Sequence, residues 1–127
     1  MIKINNLAKS YKEGVYVLKD INLYIKPGEF VSLVGKSGSG KSTLIKLLIA
    51  ELKLEEGEII IGGWDISNLK NYEIPTLRRQ VGVIFQDFKL LPKKTALENV
   101  NFAMEVCGFK NKIIKTMGLH IKVKFLL

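Results

Sequence analysis

The stretch Gly35-Lys36-Ser37-Gly38-Ser39-Gly40-Lys41-Ser42-Thr43 constrains this chain more than any other. Its first eight residues match the pattern G-x-x-x-x-G-K-[ST]. Glycines at 35, 38 and 40 let the backbone bend around an anion without Cβ clashes. Backbone N–H groups then point inward as a nest, and a following helix adds the partial positive charge of its N-terminus. The flanks suit this chemistry. The apolar run Phe30-Val31-Ser32-Leu33-Val34 enters the loop and reads as a buried strand. Ser42 to Leu52 leaves it, with Leu44, Leu47, Leu48 and Leu52 at helical spacing. A plain connecting turn needs neither the lysine nor this loop length. Lys41 is placed to reach the β- and γ-phosphates of a nucleotide as a point charge. Ser42 offers a hydroxyl to Mg²⁺, a hard cation that prefers oxygen. Thr43 can donate toward the α-phosphate. The ligands implied are a nucleoside triphosphate and Mg²⁺.

The rest of the chain surrounds the loop with a recognisable alternation. Ile2 to Leu7 alternates as a strand, and Tyr11 to Gly14 carries turn chemistry. Val15–Leu18 and Ile21–Ile25 read as two further short strands, with Ile21, Leu23 and Ile25 on one face. Pro27-Gly28 marks a turn. Glu58 to Ile61 reads as a strand, Pro75 to Gln80 as a short helix, and Val81 to Phe85 as another apolar strand. Thr95 with Glu98 forms a capping box for a helix running to about Cys107, striped by Leu97, Val100 and Met104. The expected fold is an α/β domain with an antiparallel β portion before the phosphate loop.

Composition narrows the remaining choices. A length of 127 residues suits one domain. The apolar fraction is 47% and charged residues are 25%, with no apolar run long enough to span a bilayer. The start of the chain lacks the apolar stretch of a signal peptide, so a cytoplasmic location is expected. Cys107 is the single cysteine, which excludes an intrachain disulfide. The net charge of +8 is uneven, because residues 108–127 hold five lysines and no acid. That reads as a solvated basic tail rather than a nucleic-acid surface, since aromatic interleaving is lacking beyond Phe125. A guanine-specific site is disfavoured: Asn111-Lys112-Ile113-Ile114 lacks the aspartate of an Asn-Lys-x-Asp element.

Several segments together carry a family resemblance. Tyr11, Leu18-Lys19-Asp20-Ile21-Asn22-Leu23, Pro27-Gly28-Glu29, the phosphate loop and Gly82-Val83-Ile84-Phe85-Gln86-Asp87 stand in the order of an ABC-transporter ATP-binding domain, a P-loop NTPase fold. The run Ile74 to Pro92, then Thr95, Glu98-Asn99-Val100 and Phe102 to Val106, extends the likeness toward subunits of the cell-division type. Lipoprotein- and macrolide-export ATPases share part of it. The resemblance covers about residues 1–110 and implies several roles. Tyr11 would stack on adenine. Gln86 would touch Mg²⁺ or the attacking water. Gln86 to Pro92, with Phe88, Leu90, Leu91 and Pro92, would dock an integral membrane partner. The subunit would work as a homodimer at the inner face of the plasma membrane.

The resemblance also sets an expectation of loss. After Cys107 we find no Leu-Ser-Gly-Gly-Gln-like signature and no apolar strand ending in Asp-Glu. His120 stands in the wrong context to close the site. The C-terminal half of the domain is expected to be missing, and residues 111–127 to be a divergent basic tail. ATP binding without turnover is the activity expected of such a chain, and no catalytic residue is assigned.

Overall fold

The computed structural model describes residues 1–87 and 89–109. These fall into two compact units, Met1–Val81 and a second that begins at Gly82.

The first unit is built on a hairpin. Strand β1 (Ile2–Lys12) pairs antiparallel with β2 (Val15–Ile25), so the turn is confined to Glu13-Gly14. The two short strands expected at 15–18 and 21–25 are thus one long strand. Tyr11, expected in the turn, sits near the end of β1. On its other edge β1 pairs with β3 (Glu56–Ile61), which pairs with β4 (Trp64–Asp65). The result is an antiparallel sheet of order β2-β1-β3-β4. Between β3 and β4 stand Gly62 and Gly63, both with positive φ, the backbone that tight hairpins demand. That glycine pair is the local sequence signal for the turn from β3 into β4.

Side chains from every layer of this unit meet in one core. Ile4 lies opposite Leu23 on one neighbour and Ile59 on the other, and the cluster adds Leu7, Leu18, Leu44, Leu47, Ile66 and Leu77. Ile4, Leu7, Ile59 and Leu77 are completely enclosed. Each such side chain contributes about 1.5–3 kcal/mol of hydrophobic stabilisation. Ile4 and Leu7 are three apart, which strict alternation would place on opposite faces. A bulge reconciles them. Asn6 takes φ 48, the ladder slips between Ile4 and Leu7, and the freed Asn6 N–H donates to Asn22 Oδ1 at 2.8 Å.

Helix α1 (Lys41–Leu48) follows the glycine loop and buries Thr43, Leu44 and Leu47. It ends earlier than the apolar spacing suggested, in a Schellman arrangement. Ala50 N–H donates to Leu47 O at 3.0 Å and Glu51 N–H to Lys46 O at 2.8 Å, with Ala50 in the left-handed region at φ 51. The Arg78 guanidinium of helix α2 (Ile74–Gln80) donates to Ile49 O at 3.0 Å and Ala50 O at 3.2 Å, adding positive charge where the helix dipole is negative.

Two expected strands are absent among the described residues. Phe30–Val34 and Val81–Phe85 carry strand-forming side chains but join no ladder. Phe30 is 94% exposed, Val34 85% and Ile84 91%. A strand is defined by its partner, and an isolated extended segment leaves its backbone groups to water. The composition of these runs reports the environment they suit, not a neighbour.

In the second unit, helix α3 (Ala96–Val106) starts on the expected capping box. Thr95 Oγ1 accepts from Glu98 N–H at 3.2 Å, and Glu98 Oε2 accepts from Thr95 N–H at 2.8 Å. Hydrogen bonding from Thr95, chiefly from its backbone, then from its hydroxyl and Lys94, holds the Glu98 carboxyl below its usual range. The stripe of Leu97, Val100 and Met104 is not buried: Leu97 is exposed and the other two are half-exposed. Asn99 ties the preceding segment to the helix, accepting from Leu91 N–H at 2.8 Å and donating to Leu91, Lys94 and Thr95 carbonyls.

Candidate nucleotide site

Gly40 sets the geometry of the glycine loop. It takes φ +87, and a Cβ there would lie 2.7 Å from Leu18 Cδ2 and 2.9 Å from Val17 O. Only a residue without a side chain lets the loop approach β2 this closely. Gly40 is also the N-cap of α1, and no side chain caps it. The first turn of α1 holds no acidic residue. Its leading N–H groups therefore keep the unmet donor capacity and positive potential that suit an anion.

Lys41 spans this concavity. Its Nζ donates to Gly35 O and Lys36 O, each at 2.7 Å, and to Ser39 Oγ at 3.3 Å. Three donors on an ammonium meet three acceptors of the loop itself. The charge is thereby held over the loop by weak neutral acceptors, for which phosphate oxygens are stronger substitutes. Lys36, Ser37, Gly38 and Ser39 are exposed, and Ser39 N–H closes a turn onto Lys36 O at 3.2 Å. Ser42 is exposed, so its hydroxyl can serve a hydrated cation, whereas Thr43 is buried.

The hairpin brings Tyr11 to the same place. Tyr11 Oη and Thr43 Oγ1 are 3.3 Å apart, although 32 positions separate them in sequence. The ring is 59% exposed, with Lys9 Nζ 5.9 Å from its centroid. Lys9 is itself buried and paired with Glu55. The Lys9 bond, then Ser10 N–H, holds the Glu55 carboxyl below its ordinary value. Sequence reasoning did not find Lys9 and Glu55, and no local signal marks them, because their pairing exists only once β1 lies beside the segment leading into β3.

Tyr11 and residues 35–43 thus share one unit, while Gln86 is an exposed turn residue of the second unit. Leu90, Leu91 and Pro92 are exposed in that unit as well; Phe88 lies outside the described residues, as do the expected boundary at residue 110 and the tail 111–127. Among the described residues there is no group of three or more His, Cys, Asp or Glu side chains that could hold a metal. No helix among them is long and apolar enough to cross a membrane.

A glycine loop seated between a β hairpin and an uncapped helix, with a lysine folded across it, defines a nucleotide-binding domain of the P-loop kind. The family model for the ABC transporter matches residues 18–125, and the chain belongs to that family, as an ATP-binding domain. Its relatives include the cell division ATP-binding protein FtsE of Bacillus subtilis, 49% identical over 121 residues, which are 95% of this chain and 53% of that protein. The methionine import ATP-binding protein MetN of Helicobacter pylori (strain HPAG1) is 38% identical over 98% of this chain and 41% of that protein. Among solved structures, a dimeric bacterial ABC transporter cassette superposes with a TM-score of 0.83 at 39% identity, over 94% of this chain and 55% of that one. A dimeric cassette in a post-hydrolysis state, bound to ADP and Pi, gives 0.82 at 38% identity with the same coverage. The chain spans about half the length of the curated FtsE relatives it matches.

Proposed function

We propose that the chain binds MgATP through residues 35–43 as an FtsE-like subunit of an ABC-type complex. The observation that carries this is the Lys41 ammonium, held over the loop by Gly35 and Lys36 carbonyls beside an uncapped helix start. Backbone N–H groups of Lys36 to Ser39, together with those of Gly40 to Thr43, cradle the phosphates; Lys41 neutralises the terminal ones. Ser42 supplies an oxygen ligand for Mg²⁺, which in turn screens phosphate charge. Tyr11 presents its exposed ring to adenine, where stacking supplies dispersion with little base discrimination.

The same reading gives the whole protein a role in bacterial cell division. A homodimer of such subunits sits at the inner face of the membrane and couples ATP binding and hydrolysis to an FtsX-like integral membrane protein, docked through Gln86–Pro92. The identity to FtsE proteins and the dimeric form of the cassette structures support it. No catalytic carboxylate is assigned among these 127 residues, and nucleotide binding without turnover is the activity proposed for them. Likeness to MetN favours a second reading, the ATP-binding subunit of a small-molecule transporter; export ATPases of the lipoprotein or macrolide kind form the other branch of that alternative.

One sample tests the chemistry. MgATP binding and phosphate release are measured on the chain and on Lys41→Ala. Binding that the substitution abolishes, with no phosphate release, is expected. Failure of the folded chain to retain MgATP would refute the reading. The membrane partner recovered with the protein from its own cells separates the cell-division role from transport.

A further inference from the structure

We propose that Tyr11 positions the phosphate end of the site through the Thr43 hydroxyl, in addition to offering its ring to a base. This rests on the reading of residues 35–43 as a triphosphate cradle. Its observation is the 3.3 Å approach of Tyr11 Oη to Thr43 Oγ1. Thr43 is the third residue of α1 and only 8% exposed, so its hydroxyl has little access to water and depends on protein or ligand partners.

The chemistry of two hydroxyls gives this contact a direction. Each carries one hydrogen and two acceptor sites, and between Tyr11 and Thr43 alone either oxygen can donate. A fully ionised phosphate oxygen only accepts. Once Thr43 gives its hydrogen to phosphate, Tyr11 must give its own to Thr43. The outcome is a one-way chain from Tyr11 to Thr43 to phosphate, in which each bond polarises the next. A phenylalanine at 11 keeps the aromatic face and removes the first link.

The position of Tyr11 is fixed by its own strand. Lys9 is buried and paired with Glu55, and Glu55 Oε2 also accepts from Ser10 N–H at 3.0 Å. The two residues before Tyr11 are thereby pinned by one carboxylate. On the other side, the start of α1 is pinned by Gly40 against Val17 and Leu18. The two anchors bring the hydroxyls together without any ligand.

Tripolyphosphate separates this role from stacking, because it has no base. The full chain and its variants are titrated calorimetrically with Mg²⁺–tripolyphosphate and with MgATP, each first checked for native circular dichroism. Tyr11→Phe is expected to weaken both ligands by about three- to tenfold, the range for one hydrogen bond. The same substitution in a Thr43→Val background should cost nothing further, while in Thr43→Ser, which keeps the hydroxyl, it should cost the same again. Unchanged tripolyphosphate affinity in Tyr11→Phe overturns the proposal, as does an equal loss in the Thr43→Val background. If the unsubstituted chain retains neither ligand, the triphosphate reading falls and the proposal with it. If it retains both and Tyr11→Phe has no effect, only the positioning role is lost.

Discussion

Replacing Gly40 with alanine adds one methyl group at the tightest point of the phosphate loop. The residue sits at φ +87, where an L side chain costs about 1–2 kcal/mol. The new Cβ would also lie 2.7 Å from Leu18 Cδ2 and 2.9 Å from Val17 O. The leucine methyl can rotate aside. The carbonyl belongs to the backbone of β2 and moves only if the strand moves. Overpacking of this kind costs about 1–3 kcal/mol. The expected loss is about 2–5 kcal/mol, a large share of the about 5–15 kcal/mol that holds an ordinary domain together. Gly38→Ala is the control: its φ is +79, yet a Cβ there meets nothing within 4 Å. It should lose only the conformational part, about 1–2 kcal/mol. Urea unfolding of both variants, followed by far-UV circular dichroism, measures the difference. Gly40→Ala should be the weaker of the two by about 1–3 kcal/mol. Equal losses would show that the loop is not seated against Val17 and Leu18.

Other consequences are separately measurable. Ala50 holds a left-handed conformation at the end of α1, so Ala50→Gly should raise stability by about 0.5–1 kcal/mol in the same urea assay, and a loss would contradict the Schellman assignment. Asn99→Ala removes one accepted bond and the donated set that tie Leu91–Thr95 to α3, and should cost about 1–2 kcal/mol locally, seen as faster exchange of the Leu91 amide. Glu98 has its carboxyl held below the ordinary 4.5 by Thr95 and Lys94. A carboxyl depressed in the folded state stabilises fully above its unfolded value, and the benefit disappears as pH falls below 4.5 through the folded value. The Thr95 amide resonance should follow that acid titration in the native chain and lose it in Glu98→Gln.

Local chemistry was legible because it is encoded over a few neighbouring positions. The phosphate loop, the Thr95–Glu98 capping box and the proline-led start of α2 each depend on residues within one or two turns of chain. The face shared by Ile21, Leu23 and Ile25 was readable for the same reason, from period two alone. The bulge was not, because Asn6 reveals its role only where Ile4 and Leu7 must both enter the core. Nor could the halves of β2 be joined by inspection, since Lys19 and Asp20 interrupt its apolar pattern and Asp20 takes a positive φ within the strand.

The sequence by itself determined that a glycine-bent, lysine-bearing loop precedes an amphipathic helix, because steric freedom, charge and apolar spacing are properties of the residues. Tertiary structure alone decided which extended segments become strands and which side chains flank the loop. Phe30–Val34 has the composition of a core strand yet joins no ladder among the described residues, for ladder bonds require a second chain segment at hydrogen-bonding distance. Tyr11 reaches Thr43 through the opposite circumstance: the β1–β2 hairpin closes over the helix start and carries a distant hydroxyl to it.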